Sequence, residues 1–525
     1  MNKYSRCLTP FAILLLFAGV LHGQTKTYTS ANFPLFTFPE LVKLSKNAPV
    51  PKALNRKLNT VLHSAVVDNS ASQTAAPLSV PGLGPTVRAA EWNIERGENF
   101  DWVAAALKDE KTFRARLAKD NPALSTDDLD KAVEEAGLLE QSSILVLNEV
   151  DLGIGRSGYH DVARDLAAEL KMNFVYGVEF VEIDPLKLGT EKLKASDTGG
   201  DEELRKELEE KLQADPKRYK GLHGSAILSR YPISNVRVMR LPVCYDWFGK
   251  EVESVAKVEQ GKRIASDKIF LEKIEREMRR GGRIAIFADL EVKDAPGGKI
   301  TVVNAHLENK CPPSCRVRQM RAIFDAIRQN PNPVILSGDL NTTGSDAAKL
   351  SLGYIAKSKA SDYRFWAGQA VRFGTPLPST FALNYFKNFN DPTATDIKVL
   401  ANNKEAALFS KVQKFEFADK GRFDFRGDPE YTVNNTGKKL ANSNQRDRKG
   451  FVYTFSLPRD FKGFYGRFKL DWFFVKPVES DDAERLPPMF PRTMVDLNNA
   501  PAARISDHSP ITVDLPLTSP RKGEK

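Results

Sequence analysis

One stretch decides how the rest of the chain is interpreted: Val334-Ile335-Leu336-Ser337-Gly338-Asp339-Leu340-Asn341-Thr342-Thr343. It begins with an apolar run rich in β-branched residues, which predicts a strand buried on both faces. Side chains two apart on a strand point the same way, so Asp339 and Asn341 would present a carboxylate and an amide on one side. Such a pair suits the activation of a water beside an anion. Taken alone, however, the stretch favours a plainer interpretation, a strand followed by an Asx turn.

Composition sets broad bounds on the protein. The chain has 525 residues, of which 41% are hydrophobic, so it can bury a large core and is not wholly disordered. Length alone suggests two to four domains at about 150 residues each. The net charge of +10 is spread among many acidic residues. The charge is compatible with phosphate-bearing substrates but is weak evidence for nucleic-acid binding.

Residues 1–23 are predicted to be a signal peptide, because Lys3 and Arg6 precede an apolar run at 11–21. An uncleaved anchor helix is the alternative. No later stretch of about 18 apolar residues follows, so no integral membrane segment is expected after leader removal. The predicted location is therefore secreted or periplasmic.

Three cysteines would remain in the exported chain: Cys244, Cys311 and Cys315. The spacing Cys311-Pro-Pro-Ser-Cys315 allows a small disulfide loop outside the cytoplasm, with Cys244 left over. A zinc site is the less favoured alternative, because two thiols without nearby histidines make a poor site.

The order of the predicted elements indicates the fold class. Residues 24–85 are predicted to be an N-terminal arm or prosegment with some helix, and 517–525 a basic tail. Between them, strands are expected at 86–94, 144–151, 173–182, 224–229, 235–241, 283–292, 300–305, 334–339, 470–475 and 511–515. Helices are expected within 100–140, 159–171 and 316–330, with insertions at 184–220 and 345–465. This mixed series predicts an α/β protein whose sheet core is flanked by helices, rather than a barrel of strict βα repeats.

Polar side chains stand at or beside the ends of six predicted strands. They are Asn93, Glu149, His306, the pair Asp339 and Asn341, Asp471, and Asp507 with His508. Each alone has an ordinary interpretation as a turn or surface residue, but together they suit a narrow range of chemistry. Carboxylates such as Glu149 and Asp507 favour Mg²⁺ or Mn²⁺, histidines can donate to phosphate oxygens, and Asp339 could take a proton from water.

These segments resemble the endonuclease/exonuclease/phosphatase superfamily, which includes DNase I-like nucleases. Its motifs occur in family order as WNIERG, LVLNEVD, HGSAILSRYPI, VVNAHLEN, SGDLNTT, KLDWFFV and RISDHSPI. The resemblance covers residues 86–516. It implies a four-layered α/β sandwich with two packed mixed sheets, so this part would be one large domain.

The resemblance also implies residue roles. Glu149, Asn93 and Asp507 would hold the divalent metal, Mg²⁺ or Mn²⁺. Asp339 would orient or deprotonate the attacking water, and Asn341 would bond the phosphate.

The histidines follow the same pattern of roles. His306 would contact phosphate or protonate the leaving oxygen, and His508 would contact the phosphoryl oxygens with its tautomer held by Asp471. The stretch that follows His223 lacks the DNase-type glutamate that would pair with His306.

Substrate is the least specified feature. His223, Asn444 and Arg446 are candidate substrate-binding residues, and the inositol-phosphatase signature around the late aspartate is missing. We expect a monomeric, metal-dependent phosphoesterase acting on phosphodiester and possibly phosphomonoester bonds, with nucleic acid favoured. Sphingomyelinase or inositol-phosphate phosphatase activity, or a non-catalytic anion-binding protein on the same fold, are the alternatives.

Overall fold

A computed structural model describes residues 25–71, 75–193, 200–252, 277–342, 405–424, 453–456, 467–479, 486–490 and 493–518. The predicted leader, most of the 345–465 insertion and all but two residues of the tail lie outside the described residues.

The larger sheet contains nine strands in the order β1-β2-β6-β7-β5-β4-β16, with β3 paired to β4 and β9 paired to β6. The strands are β1 (Lys26–Tyr28), β2 (Ser64–Asp68), β3 (Leu78–Val80), β4 (Gly84–Arg96), β5 (Ile144–Leu152), β6 (Asn173–Glu182), β7 (Leu222–Ser229), β9 (Arg279–Gly281) and β16 (Ile511–Pro516). Parallel and antiparallel pairs both occur, so the sheet is mixed.

The second sheet has five strands in the order β15-β12-β11-β10-β8. They are β8 (Ile233–Arg240), β10 (Ile284–Glu291), β11 (Lys299–Ala305), β12 (Val334–Asp339) and β15 (Asp471–Lys476). A separate two-stranded ribbon pairs β13 (Phe455–Ser456) with β14 (Arg467–Phe468).

Helices cover the outer faces of both sheets. They are α1 (Phe38–Ser45), α2 (Lys52–His63), α3 (Phe100–Lys108), α4 (Glu110–Asp120), α5 (Thr126–Glu140), α6 (Val162–Leu170), α7 (Glu202–Leu212), α8 (Gly249–Val252), α9 (Pro313–Ile327), α10 (Ala406–Lys414) and α11 (Val495–Asn499). Ser125 caps the N-terminus of α5, since its side chain accepts from the backbone N–H of Asp128.

Three apolar clusters separate four layers. One lies between α1–α6 and the larger sheet, one between the two sheets, and one between the smaller sheet and α9–α10. The position of β12 between two layers explains its apolar run. Ile335 packs against the larger sheet, while Val334 and Leu336 pack toward the helices. The predicted four-layered α/β sandwich with two mixed sheets is confirmed.

The segment predicted as an N-terminal arm is integrated into this sandwich. Strand β1 pairs with β2, and β2 extends the larger sheet beside β6. Leu41 of α1 and Val61 of α2 are fully buried in the helix-side core. From residue 25 onward the segment is therefore part of the domain's packing rather than a surface arm, while its removal as a prosegment stays a prediction.

The 184–220 insertion contains one of the described helices, α7. Its Leu208 and Leu212 pack with Leu186 and Leu193 in a small apolar cluster of their own. Across the described part of the chain, no helix has the length and apolarity needed to cross a membrane.

The cysteine pairing differs from the expected one. Cys244 and Cys315 form the disulfide, with Cα atoms 6.0 Å apart, and Cys311 is a free, buried thiol. The predicted Cys311–Cys315 disulfide is wrong. Cys315 lies on α9 and is bonded there to Cys244, which lies in the segment that follows β8. Burial raises the pKa of the Cys311 thiol to about 11, so it stays protonated at neutral pH.

We expect Cys244→Ser to lower the free energy of unfolding by about 2–4 kcal/mol, because the bond closes a long loop in the unfolded chain. The matched change Cys311→Ser should cost less than about 1 kcal/mol. Chemical denaturation of both variants, with non-reducing peptide mapping of the native chain, measures this. Equal destabilisation by the two substitutions would contradict the pairing.

Candidate active site

Strands of both sheets bring the predicted site residues together. β12 pairs with β15 so that Asp339 lies opposite Asp471, and β11 runs parallel to β12 so that His306 leaves the sheet at the same end. β12 requires Gly338 next to this point, because a Cβ atom there would collide with the carbonyl oxygen of Ala305. Strands β4 and β5 of the other sheet supply Asn93 and Glu149.

Asp339 is the centre of the cluster. Its Oδ2 atom accepts a hydrogen bond of 3.2 Å from Asn93 Nδ2. The same oxygen lies 3.6 Å from His306 Nε2 and 3.9 Å from His508 Nε2. Three nitrogens from three different chain segments therefore face one carboxylate oxygen that is almost wholly buried.

The other carboxylate oxygen of Asp339 is fixed by the backbone. Oδ1 accepts a bond of 2.8 Å from the N–H of Asn341, whose φ of 51° turns the chain sharply after the strand. Burial and the negative charge of Asp471 raise the pKa of Asp339, against the histidines that lower it. The Asx turn and the carboxylate function predicted for this stretch are thus compatible, since the turn positions the carboxylate.

His508 and Asp471 form a buried pair. Asp471 Oδ2 lies 2.8 Å from His508 Nδ1, which leaves Nε2 directed toward Asp339. Burial opposes charge on the imidazole, but Asp471 and Asp507 raise the pKa of His508 well above its usual range. These carboxylates favour the protonated imidazole of His508, and Asp471 contacts Nδ1, the arrangement that the resemblance implies.

Two of the three residues predicted to bind metal, Asn93 and Glu149, lie at neighbouring β-bulges, while Asp507 lies in the segment before β16. β4 is irregular between Asn93 and Arg96, and β5 is irregular between Leu147 and Val150. Glu95 and Glu149 have φ values of 46° and 51° in these bulges, a conformation that costs about 1–3 kcal/mol and is typical of functional sites.

The electrostatics of these carboxylates fit a cation. Burial raises the pKa of Asp507, and the negative charge of Glu149 raises it further, so these two acidic groups repel each other. Glu95 is next to them, because its Oε2 accepts from the N–H of Asp507 at 3.1 Å. Mg²⁺ and Mn²⁺ prefer carboxylate oxygens as ligands, and two carboxylates that repel each other favour a bound cation. Sequence reasoning missed Glu95, although it follows Asn93 by two positions in WNIERG.

A second group could also hold an ion. One ligand atom each from Asp339, Asp471 and His508 lie within 4.8 Å of one another. His508 Nδ1 is already bonded to Asp471, so this group would have to give up its hydrogen bond to bind metal. We therefore favour the oxygen-rich set at Glu149 and Asp507.

His306 has two partners that sequence reasoning did not find. Its Nδ1 atom lies 2.8 Å from Arg283 Nη1 and 3.3 Å from Glu179 Oε1. Glu179 is in the middle of β6, and Arg283 directly precedes β10. A charged residue within the otherwise apolar run 174–181 was the available signal, because a buried carboxylate requires a partner.

The predicted substrate-binding residues have different outcomes. His223 is buried, and its Nδ1 atom lies 2.8 Å from Asp151 Oδ1, within an ion-pair network that includes Arg156 and Glu182. Its contact with substrate stays a prediction. Asn444 and Arg446 lie outside the described residues.

The same segments match a known family. The model of the endonuclease/exonuclease/phosphatase family matches residues 90–508, most of the chain. The chain belongs to this family. Members of the endonuclease/exonuclease/phosphatase family are hydrolases of phosphoester bonds, and this match spans every predicted site residue described above. No curated protein matches the chain.

The chain also matches solved structures at low sequence identity. A Beutenbergia cavernae endonuclease/exonuclease/phosphatase is 15% identical, with 83% of this chain and 73% of that chain covered and a TM-score of 0.32. An AP endonuclease from Archaeoglobus fulgidus is 12% identical, with 81% and 98% covered and a TM-score of 0.33. The human Nocturnin catalytic domain with bound sulfate is 13% identical, with 83% and 95% covered and a TM-score of 0.32.

Proposed function

We propose that this chain is an exported, divalent-metal-dependent phosphodiesterase that hydrolyses its substrate by direct attack of water, with extracellular nucleic acid as the favoured substrate. The observation that supports it best is the convergence of Asn93, His306 and His508 on Asp339 Oδ2, within 3.9 Å. The Cys244–Cys315 disulfide supports export, because such bonds persist in oxidising compartments.

Asp339 takes the proton of the attacking water. Its raised pKa brings its basicity closer to neutral pH, and hydrogen bonds from Asn93 Nδ2 and the Asn341 N–H fix both carboxylate oxygens. Attack forms the new P–O bond opposite the bond that breaks. Three groups on the chain then face the charge that grows on the phosphoryl oxygens.

The charged His508 is the first of these groups, since Asp471 keeps its Nε2–H directed toward the site. His306 is the second. Asn341 is the third: one amide N–H donates to the Leu307 carbonyl at 3.0 Å, and we assign the other to a phosphoryl oxygen.

Glu149, Asp507 and Asn93 would hold the metal, with Glu95 as a further carboxylate beside Asp507. When bound, the ion supplies Lewis-acid stabilisation of charge on the phosphoryl group. A cation here also relieves the repulsion that raises the pKa of Asp507.

A substrate panel tests the proposal. We expect the purified chain with Mg²⁺ or Mn²⁺ to hydrolyse DNA, RNA or bis(p-nitrophenyl) phosphate, and sphingomyelin and an inositol phosphate distinguish the rival activities within the family. EDTA is the control for metal dependence. Turnover on none of these substrates, or turnover that persists in Asp339→Ala, would contradict the proposal.

We expect the pH profile of kcat/KM to be bell-shaped and to move to lower pH in Asp471→Asn. Activity rises as Asp339 loses its proton and is lost as pH rises through the raised pKa of His508. Asp471 raises both pKa values, so its neutralisation lowers both.

Kinetics across the pH range check this, with Asp165→Asn as the matched control. Asp165 lies 2.9 Å from His160 Nδ1 in a partly exposed pair outside the site, so this substitution should leave the profile unchanged. An alkaline limb that stays in place in Asp471→Asn would show that His508 is not the titrating group.

A further inference from the structure

The contacts of His306 specify its tautomer. Arg283 Nη1 donates one hydrogen bond to Glu179 Oε2 at 2.9 Å and lies 2.8 Å from His306 Nδ1. A guanidinium is always protonated and can only donate. At 2.8 Å, Nδ1 must therefore present its lone pair, because an N–H there would set two donors against each other.

Glu179 does not compete effectively for this position. Its Oε1 atom is 3.3 Å from His306 Nδ1, longer than the Arg283 contact, and already accepts a hydrogen bond of 2.6 Å from Ser225 Oγ. The carboxylate instead balances the guanidinium, with which it forms a fully buried ion pair. Glu308 adds a second negative charge, 4.0 Å from Arg283 Nε.

The other ring nitrogen faces the reaction centre. His306 is 1% exposed, and its Nε2 atom has no hydrogen-bond partner among the described residues. Asp339 Oδ2, at 3.6 Å, is beyond hydrogen-bond distance. A buried N–H without a partner is costly unless a ligand supplies the acceptor. The place for that acceptor is beside Asp339, where a phosphoryl oxygen would lie.

We infer that Arg283 holds His306 as the Nε2–H tautomer, so that His306 donates a hydrogen bond to a non-bridging phosphoryl oxygen and does not protonate the leaving group. The inference rests on the proposed function. Water loses its proton to Asp339 as the new P–O bond forms, and the departing oxygen takes its proton from solvent. Arg283 is thus a positioning residue, acting on substrate through His306.

Nitrogen-15 NMR of histidine-labelled, full-length protein tests the tautomer without any substrate. The chain has six histidines, and His306→Asn identifies the resonances of His306 by their loss. We expect a protonated Nε2 and an unprotonated Nδ1 at neutral pH. A protonated Nδ1, alone or with a protonated Nε2, would overturn the inference.

The role of Arg283 is tested in the double variant Glu179→Gln with Arg283→Met, which removes both charges of that ion pair, while Glu308 keeps its hydrogen bond of 2.9 Å from Trp247 Nε1. We expect the His306 signals to shift toward a mixture of tautomers. Unchanged signals would show that a contact other than Arg283 sets the tautomer of His306. If the double variant does not fold, the spectrum of the native chain still decides the tautomer.

The leaving-group dependence tests the chemical role. His306→Ala should lower kcat/KM by roughly 10- to 100-fold, and by the same factor for bis(p-nitrophenyl) phosphate and for a dinucleotide with an alkoxide leaving group. A general acid would matter far more for the alkoxide, so a loss there at least tenfold larger would overturn the inference. Absence of turnover on both substrates would refute the proposed function, while NMR still reports the tautomer.

Discussion

Asp339→Asn is expected to lower kcat/KM for phosphodiester hydrolysis by roughly 10³- to 10⁴-fold, near the upper end of what general-base catalysis contributes. The amide cannot accept the proton of the attacking water. It also turns an acceptor into a donor opposite Asn93 Nδ2, which now bonds the carboxylate at 3.2 Å. Steady-state kinetics on bis(p-nitrophenyl) phosphate, with Tm measured in parallel, checks the effect.

Asp325→Asn is the matched control for this substitution. The same chemical change falls on α9, where the Asp325 side chain is 77% exposed. Its kcat/KM should equal that of the native chain. A loss for Asp339→Asn of less than about tenfold, with Tm unchanged, would remove Asp339 from the role of base.

Removal of divalent metal with EDTA is expected to lower activity by roughly 10³-fold or more, since Lewis-acid stabilisation is worth several kcal/mol. Excess Mg²⁺ or Mn²⁺ should restore it. Glu149→Gln should lose the same factor and respond only to much higher metal concentrations. Burial would raise the pKa of Glu149, but Arg96 and other basic groups outweigh it and lower this pKa to about 2, so the carboxylate is ionised at neutral pH.

Glu98→Gln separates the loss of a metal ligand from the loss of an ion pair. Glu98 lies 3.4 Å from Arg96 Nη1, while Glu149 lies 3.7 Å from Arg96 Nε. Each substitution takes one carboxylate from the same guanidinium. Metal titrations that shift equally in both variants would mean that Arg96, and not metal binding, explains the Glu149 effect.

The parts of the fold predicted well are those in which local pattern and burial agree. The run from Val334 to Leu336 predicted a strand buried on both faces, and it packs against the other sheet on one side and helices on the other. Burial also explains why the polar groups at strand ends could be predicted. A buried strand that ends abruptly in Asp339 needs a partner for that carboxylate.

The remaining features depend on contacts that are distant in sequence. Glu149 adopts a positive φ without being glycine, so no residue type marked the bulge that directs it into the site. Cysteine spacing does not determine connectivity, which is why Cys315 was paired with its near neighbour instead of Cys244. Arg283 reaches His306 only because β10 and β11 are adjacent strands.

The site joins strand β4 to the segment that precedes β16, the last described strand of the domain. Asn93 lies on β4, and His508 precedes β16, which pairs with β4 at one edge of the larger sheet. A ribosome therefore has to pass residue 508 before Asp339 meets both of its flanking partners. Nascent chains that end before His508 contain no assembled centre.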